Sequence, residues 1–448
     1  MSTRDLMFAF PAAPVASATD AEDRAPHEKL GVAMVTITFL LSYLQYCLDR
    51  NDLVRIVPIA MMVIGTLAFL LACPPEKRRE CFVSACHPVT LLIVGSVCLP
   101  SLISSYFNPP GEAFVYGFLM IMVLLTIRIL LTGIGFDGLF SAFFYATSLG
   151  LLIVVGLSIK DLIASVGATR YAPMQMDPNR IAFFAATAVP AQLYFVFHRR
   201  RYSALLMTGL SIFVVFAASS RGSIGGLAFG VATIALLYAI RLVRFGRFEV
   251  SRAHLMGLVF VLCVVAGVAA THGSAVDKTG QFLRDKLAFD SNNRGVGSGF
   301  TGRSGGWAEL FNIWPKTQWL AGNGFRTSDV DFTFSVDNGY IATLYELGAF
   351  STSIAIAKYL FVLFILSKAY VSFRSADKTC LAFLIFLCSI FFANAFVHRV
   401  FLGYGEQSSM LLLFVFVALP SDVFTILQSS SSRLCAPASE NPTRYQFR

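Results

Sequence analysis

Between residues 30 and 428 the chain repeats one pattern: an apolar run, a short polar connection, and another apolar run. A hydrocarbon core of about 30 Å takes roughly 20 helical residues to cross. Inside it each run must satisfy its own backbone hydrogen bonds, which leaves the α-helix as the form these segments take. About twelve runs reach that length, beginning near residues 30, 53, 88, 114, 137, 180, 203, 223, 254, 348, 379 and 406. With 56% hydrophobic and 14% charged residues and a mean hydropathy of +0.68, the composition excludes an ordinary soluble domain. The expected fold is all-α: a polytopic transmembrane helix bundle of about twelve spans, with one long outer loop between spans 9 and 10.

Basic residues set the expected orientation. Lys77, Arg78 and Arg79, then Arg199, Arg200 and Arg201, then Arg241, Arg244, Arg247 and Arg252, then Lys368, Arg374 and Lys378 fall in connections on one side of such a bundle. That side is read as cytoplasmic. Residues 1–29 are then a cytoplasmic tail, 30–271 carry spans 1–9, 272–337 form the outer loop, 338–428 carry spans 10–12, and 429–448 form a second cytoplasmic tail. The short, proline-broken apolar stretch in the first tail, followed by acidic residues, does not fit an export signal. The net charge of +9 is on this reading the insertion signal, and no nucleic-acid partner is implied.

Cys73, Cys81, Cys86 and Cys435 of the nine cysteines fall on the cytoplasmic side, and none lies in the outer loop, so no structural disulfide is expected. Cys81, Cys86 and His87 lack the close spacing of a zinc site. With six histidines and no acidic pair motif, neither a metal nor another cofactor is nominated.

The stretch AASSRGSIGGLAFG, residues 217–230, places Arg221 at the outer junction of two spans. Gly222, Gly226 and Gly230 follow on one helical face, where absent side chains admit a close neighbour. An arginine that only snorkels to headgroups needs no such rigid support, whereas a planar fork that binds phosphate oxygens bidentately does. The outer loops also carry Lys160, Arg170, Arg180, Lys278, Arg284, Lys286, Arg294, Arg303, Lys316 and Arg326 against the positive-inside trend, which suggests an anionic ligand there.

Four stretches in this order, DPNRIAFFAATAVPAQ, SSRGSIGGLAFG, GRSGGWAELFNIWPKTQWLAGNGF and VDNGYIATLYELG, resemble the O-antigen ligase and polymerase family of bacterial envelope enzymes. The resemblance covers roughly residues 177 to 350. It implies a location in the bacterial inner membrane, which makes the outer loop periplasmic, while the basic clusters and twelve spans place both termini in the cytoplasm. The implied activity is transfer of an oligosaccharide from undecaprenyl diphosphate to a hydroxyl of an acceptor glycan, either a second lipid-linked repeat or a lipopolysaccharide core. A chain-length regulator and a flippase are the implied protein partners. Carried over by position, Arg221 and Arg303 grip the diphosphate, while Asn338 and Tyr340 match the family's His-Asn-x-Tyr motif. Arg180, Arg326 and Trp307 complete the expected substrate-binding set.

Asp337 stands where many relatives have histidine. A carboxylate there is either a base for the acceptor hydroxyl or a cap for a helix starting at Asn338, and its presence weakens the ligase reading relative to the polymerase reading. The leaving diphosphate develops negative charge, which two fixed arginines can stabilise without metal. Trp307, Trp314 and Trp319 can stack on sugars or rest at the membrane interface. Two readings from other classes stand beside these. A flippase or transporter would have related halves or interrupted helices with substrate groups at mid-membrane, against which Arg128, Lys358 and Glu346 are the few span charges; the other reading is a non-catalytic scaffold.

Overall fold

The computed structural model describes residues 24–48, 52–107, 112–165, 170–173, 176–245, 307–308, 310–312, 318–325, 327, 338–372, 378–396, 407–419 and 421–422. The described helices are α1 (Pro26–Leu48), α2 (Asp52–Ala72), α3 (Pro75–Ala85), α4 (Pro88–Phe107), α5 (Glu112–Leu157), α6 (Ile159–Ser165), α7 (Pro178–Phe197), α8 (Ala204–Ala217), α9 (Arg221–Phe245), α10 (Gly339–Ser372), α11 (Lys378–Asn394) and α12 (Gln407–Val417). Among the described residues α4, α5, α7, α9 and α10 are long and apolar enough to cross a membrane, and shorter apolar helices lie in α2, α8 and α11. The fold is an all-α, multi-helix bundle of the kind a polytopic membrane protein forms. The expected ninth span and all of the expected outer loop before Trp307 lie outside the described residues.

Two glycines give the bundle its shape. Gly135 (φ 64°, ψ 179°) interrupts the 46 residues of α5, which unbroken would run about 69 Å, more than twice a hydrocarbon core. The second half of α5 runs beside α1, with Phe39 and Phe143 ring centroids 5.5 Å apart and Tyr43 against Gly150. The first half returns beside α4, where Leu102 lies against Gly117. Both extremities of α5 reach the end of the bundle where α7 and α10 begin: α4 bonds Ser101 Oγ to Glu346 O at 3.0 Å, and Ser158 shares a 2.7 Å hydrogen bond with Tyr171. The chain reverses at Gly135, so the expected spans near 114 and 137 are the two arms of a helical hairpin.

Gly348 (φ 75°, ψ 171°) does the same to α10. Thr352 Oγ1 donates to Thr343 O at 3.1 Å, a pair that an unbroken helix would separate by about 13 Å. Tyr340 and Tyr359 bond carbonyls one turn apart on α11, Phe392 O at 3.0 Å and Cys388 O at 2.6 Å, although an unbroken α10 would hold them about 28 Å apart. Residues 339–347 therefore double back along the rest of α10. A span was expected to begin near 348, and the long arm of α10 does begin there; what was not expected is that the helix starting at Gly339 folds back on that arm at Gly348.

The backbone groups opened by that fold are met by the segment before α10. Asn323 N donates to Tyr345 O at 3.0 Å and Gly324 N to Glu346 O at 2.9 Å, while Ala349 N and Phe350 N donate to Trp319 O and Leu320 O at 2.8 and 3.2 Å. An interrupted helix in a membrane needs such internal partners.

At the opposite end Asp137 takes 2.5 Å bonds from both Arg24 and Arg199 and a 2.6 Å bond from Tyr194. Arg78 donates to Leu70 O at 2.8 Å. Arg241, expected in a connection, is buried in the last turns of α9 and donates to Tyr370 O at 3.1 Å. Arg128 of α5 pairs with Asp422 at 2.5 Å, and Lys358 Nζ donates to Ala418 O at 2.6 Å. Arg78, Arg199 and Arg241, one from each of three basic clusters used for orientation, thus lie toward one end of the bundle, and Arg221 lies at the other.

Candidate functional site

α8 ends in a turn whose Ser219 takes a left-handed φ of 51°, a conformation a non-glycine residue holds only when its surroundings impose it. Arg221 then opens α9, half-buried, with Ile224 N bonded to Ser220 O at 3.0 Å and Ser220 Oγ to Ser223 Oγ at 3.2 Å. The glycine face expected behind it is real at two positions. A Cβ on Gly226 would collide with the Asn394 amide, and one on Gly230 with the Phe386 ring, so α9 and α11 meet at backbone distance.

Asn394 connects this helix to the second half of the site. It is fully buried, Nδ2 donates to Ile390 O at 3.0 Å, and Oδ1 has no partner among the described residues. Such an acceptor costs about 1–3 kcal/mol unless a water or ligand reaches it. The next residue, Ala395, accepts the amide of Gly339 at 2.7 Å. The Asn338 segment is thereby anchored at the level of Gly226, about 7 Å along α9 from Arg221 at 1.5 Å per residue.

Asn338 Oδ1 accepts the amides of Tyr340 and Ile341, both at 3.0 Å. It is the N-cap of α10. The cap weighed for Asp337 is made by Asn338, because the helix starts at Gly339, one position later than expected; Asp337 itself lies outside the described residues, as do Arg303 and Arg326. Tyr340 is half-buried, its hydroxyl on Phe392 O and its ring 4.9 Å from the Phe396 centroid. Half-buried Trp307 lies on a helical piece whose Leu310 packs on Ala342 and Tyr345 of α10. Trp319 is 53% exposed beside the Gly322–Asn323–Gly324 turn.

Arg180 is exposed in the first turn of α7. That helix is capped by Asp177, whose carboxylate accepts Asn179 N at 2.9 Å. The structure brings together the segments of Arg221, Asn338, Tyr340 and Trp307, with Arg180 at the same end. Arg170 was named only as one outer cation among ten, and Asn394, which carries no motif, was not singled out at all.

Among the described residues no group of three or more His, Cys, Asp or Glu is placed to hold a metal ion. No family model matches the chain, and no curated protein matches it.

Proposed function

We propose that the chain is a bacterial inner-membrane glycosyltransferase that moves an oligosaccharide from undecaprenyl diphosphate to an acceptor sugar at the periplasmic face. Polymerisation of repeat units of O-antigen, capsule or exopolysaccharide is the preferred form of the reaction. The observation that carries the proposal is the junction at Asn394 and Ala395, which joins the Arg221 helix to the Asn338 segment although the two are distant in sequence. It supports one site built from both stretches, with a cation from one and the acceptor-side residues from the other.

In this reading Arg221, aided by Arg303, holds the diphosphate and stabilises the charge that develops as the C1–oxygen bond breaks. The acceptor hydroxyl attacks C1 from the opposite face with inversion, and its proton passes to Asp337 or to a substrate group. Asn338 and Tyr340 position the loop that carries Asp337; Arg180, Arg326 and Trp307 meet the rest of the lipid-linked sugar. The periplasmic loop, both cytoplasmic termini, and association with a chain-length regulator and a flippase belong to the same proposal.

A transport reading gains one observation, the two interrupted helices. In transporters the open backbone groups of such helices meet the substrate. Here those around Gly348 are bonded to residues 319–324, which favours a scaffolding purpose for the break. Glycan analysis of a strain lacking the protein separates the readings. Accumulated single lipid-linked repeats support a polymerase. Long lipid-linked chains that never reach the core indicate a ligase, and repeats held on the cytoplasmic face indicate a flippase and sink the proposal.

A further inference from the structure

The guanidinium of Arg170 lies between two pieces of chain that the sequence keeps apart. Its Nε donates to Ala218 O at 2.9 Å, and its Nη2 donates to Asn179 Oδ1 at 2.9 Å. The next amide, Tyr171 N, donates to Ala217 O at 3.0 Å. Tyr171 is fully buried and bonded to Ser158, so the backbone of this loop is fixed from within the bundle. On one side Arg170 grasps the first turn of α7, already capped by Asp177. On the other it grasps the α8–α9 turn, one residue before the left-handed Ser219 and three before Arg221.

We propose that Arg170 is a positioning residue for Arg221: its planar fork ties the capped start of α7 to the α8–α9 turn and fixes where the Arg221 guanidinium is presented to a diphosphate. The inference rests on the reading of Arg221 as a diphosphate-binding residue. The geometry calls for arginine. Nε and Nη2 lie in one rigid plane and reach two acceptors at once, whereas a lysine ammonium on a flexible stem reaches them without that fixed direction. The bond to a strained turn explains its use, because a left-handed serine relaxes when its supports are removed. Misplacing a binding group by about 1 Å can cost on the order of a hundredfold in rate.

The test uses the full chain in lipid nanodiscs, farnesyl diphosphate as the probe, and amide exchange as a readout independent of activity. Arg170→Lys should bind the probe at least about tenfold more weakly than the unaltered protein, because a misplaced Arg221 fork no longer makes both of its phosphate bonds at once. Exchange across residues 218–224 should quicken. In an Arg221→Lys background Arg170→Lys should weaken binding no further, since it acts through Arg221. Asn179→Leu, which leaves both charges in place, should quicken the same amides, and Asn179→Asp should do so less. Unchanged affinity and unchanged exchange in Arg170→Lys would overturn the inference. So would losses that add to those of Arg221→Lys, which would make Arg170 a direct phosphate contact. If Arg170→Lys does not insert, Asn179→Leu carries the same comparison. Failure of the unaltered protein to bind the probe counts against the reading of Arg221, while the exchange measurement still decides whether Arg170 holds the turn.

Discussion

Gly322 and Gly348 are packed backbone against backbone, so closely that a Cβ on Gly322 would come within 2.5 Å of the Gly348 nitrogen. Both hold positive φ, 81° and 75°. Neither can carry a side chain without parting the 319–324 segment from the fold of α10.

Gly348→Ala should therefore destabilise the protein by more than Gly135→Ala. Both positions have positive φ, which for a residue with a side chain costs about 1–3 kcal/mol. Only Gly348 adds a backbone collision, since nothing lies within 4 Å of a Cβ at Gly135, and overpacking adds about 1–3 kcal/mol more. Thermal unfolding of the two purified variants in one detergent checks the order; equal losses would mean that the 319–324 contact contributes nothing.

Arg221→Lys should lose most polymer formation at normal membrane abundance. A point charge does not reproduce paired bonds to phosphate oxygens, and loss of one such contact in a transition state costs about 2.7–4 kcal/mol, roughly a hundred- to a thousandfold in rate. Arg303→Lys should behave likewise. Polymer length and quantity in the deletion strain are the measurement, and full activity of Arg221→Lys would reduce the residue to a membrane anchor.

Asn338 and Asp337 should separate by chemistry. Asn338→Ala removes the acceptor for two amides and should cost about 0.5–2 kcal/mol of stability, with Asn338→Asp costing less because it keeps the oxygen. Asp337→Asn keeps shape and removes the base. It should lower turnover with no change in unfolding temperature, and near-normal polymer yield at equal protein level would exclude the carboxylate from the reaction.

Cysteine labelling should distinguish two neighbours on and beside α3. Burial pushes the Cys81 thiol up to about 12, far above its usual range, while Cys86 is exposed. The thiolate is the reactive form, so Cys81 should stay unlabelled by maleimide from about pH 7 to 9, where the protonated form dominates. In a variant keeping only these two cysteines, Cys86 should label in inverted membrane vesicles and not in intact cells. Labelling of Cys86 from outside would reverse the proposed orientation.

Much of the helical framework was legible because transmembrane helices announce themselves locally, through run length and the glycines of α9. The start of α7 at Pro178, the Arg221 junction and the reversal near 135 follow from that alone. The doubled-back start of α10 was not legible. A lone glycine inside an apolar run reads as a tolerated helix residue, and what turns Gly348 into a fold is Gly322, on a different segment. The stretches that make up the candidate site stand out in the sequence, but their arrangement does not: Ala395 and Asn394, which join the Arg221 helix to the Asn338 segment, are an ordinary alanine and asparagine at the end of an apolar run. Asn338 illustrates the smallest gap, where a one-residue difference in the helix start moved the cap from Asp337.

The Arg128–Asp422 pair links residues 294 positions apart. At roughly 5–20 residues per second of synthesis, Arg128 waits about 15–60 s for its counter-ion to be made. Through that interval the nascent bundle holds a guanidinium that is only 3% exposed once the chain is finished. An unpaired charge in the hydrocarbon region is expensive and is relieved by water or by movement toward the interface. The Arg128–Asp422 pair thus ties the first arm of the α5 hairpin to the segment that follows α12, a tie that cannot form before residue 422 is made.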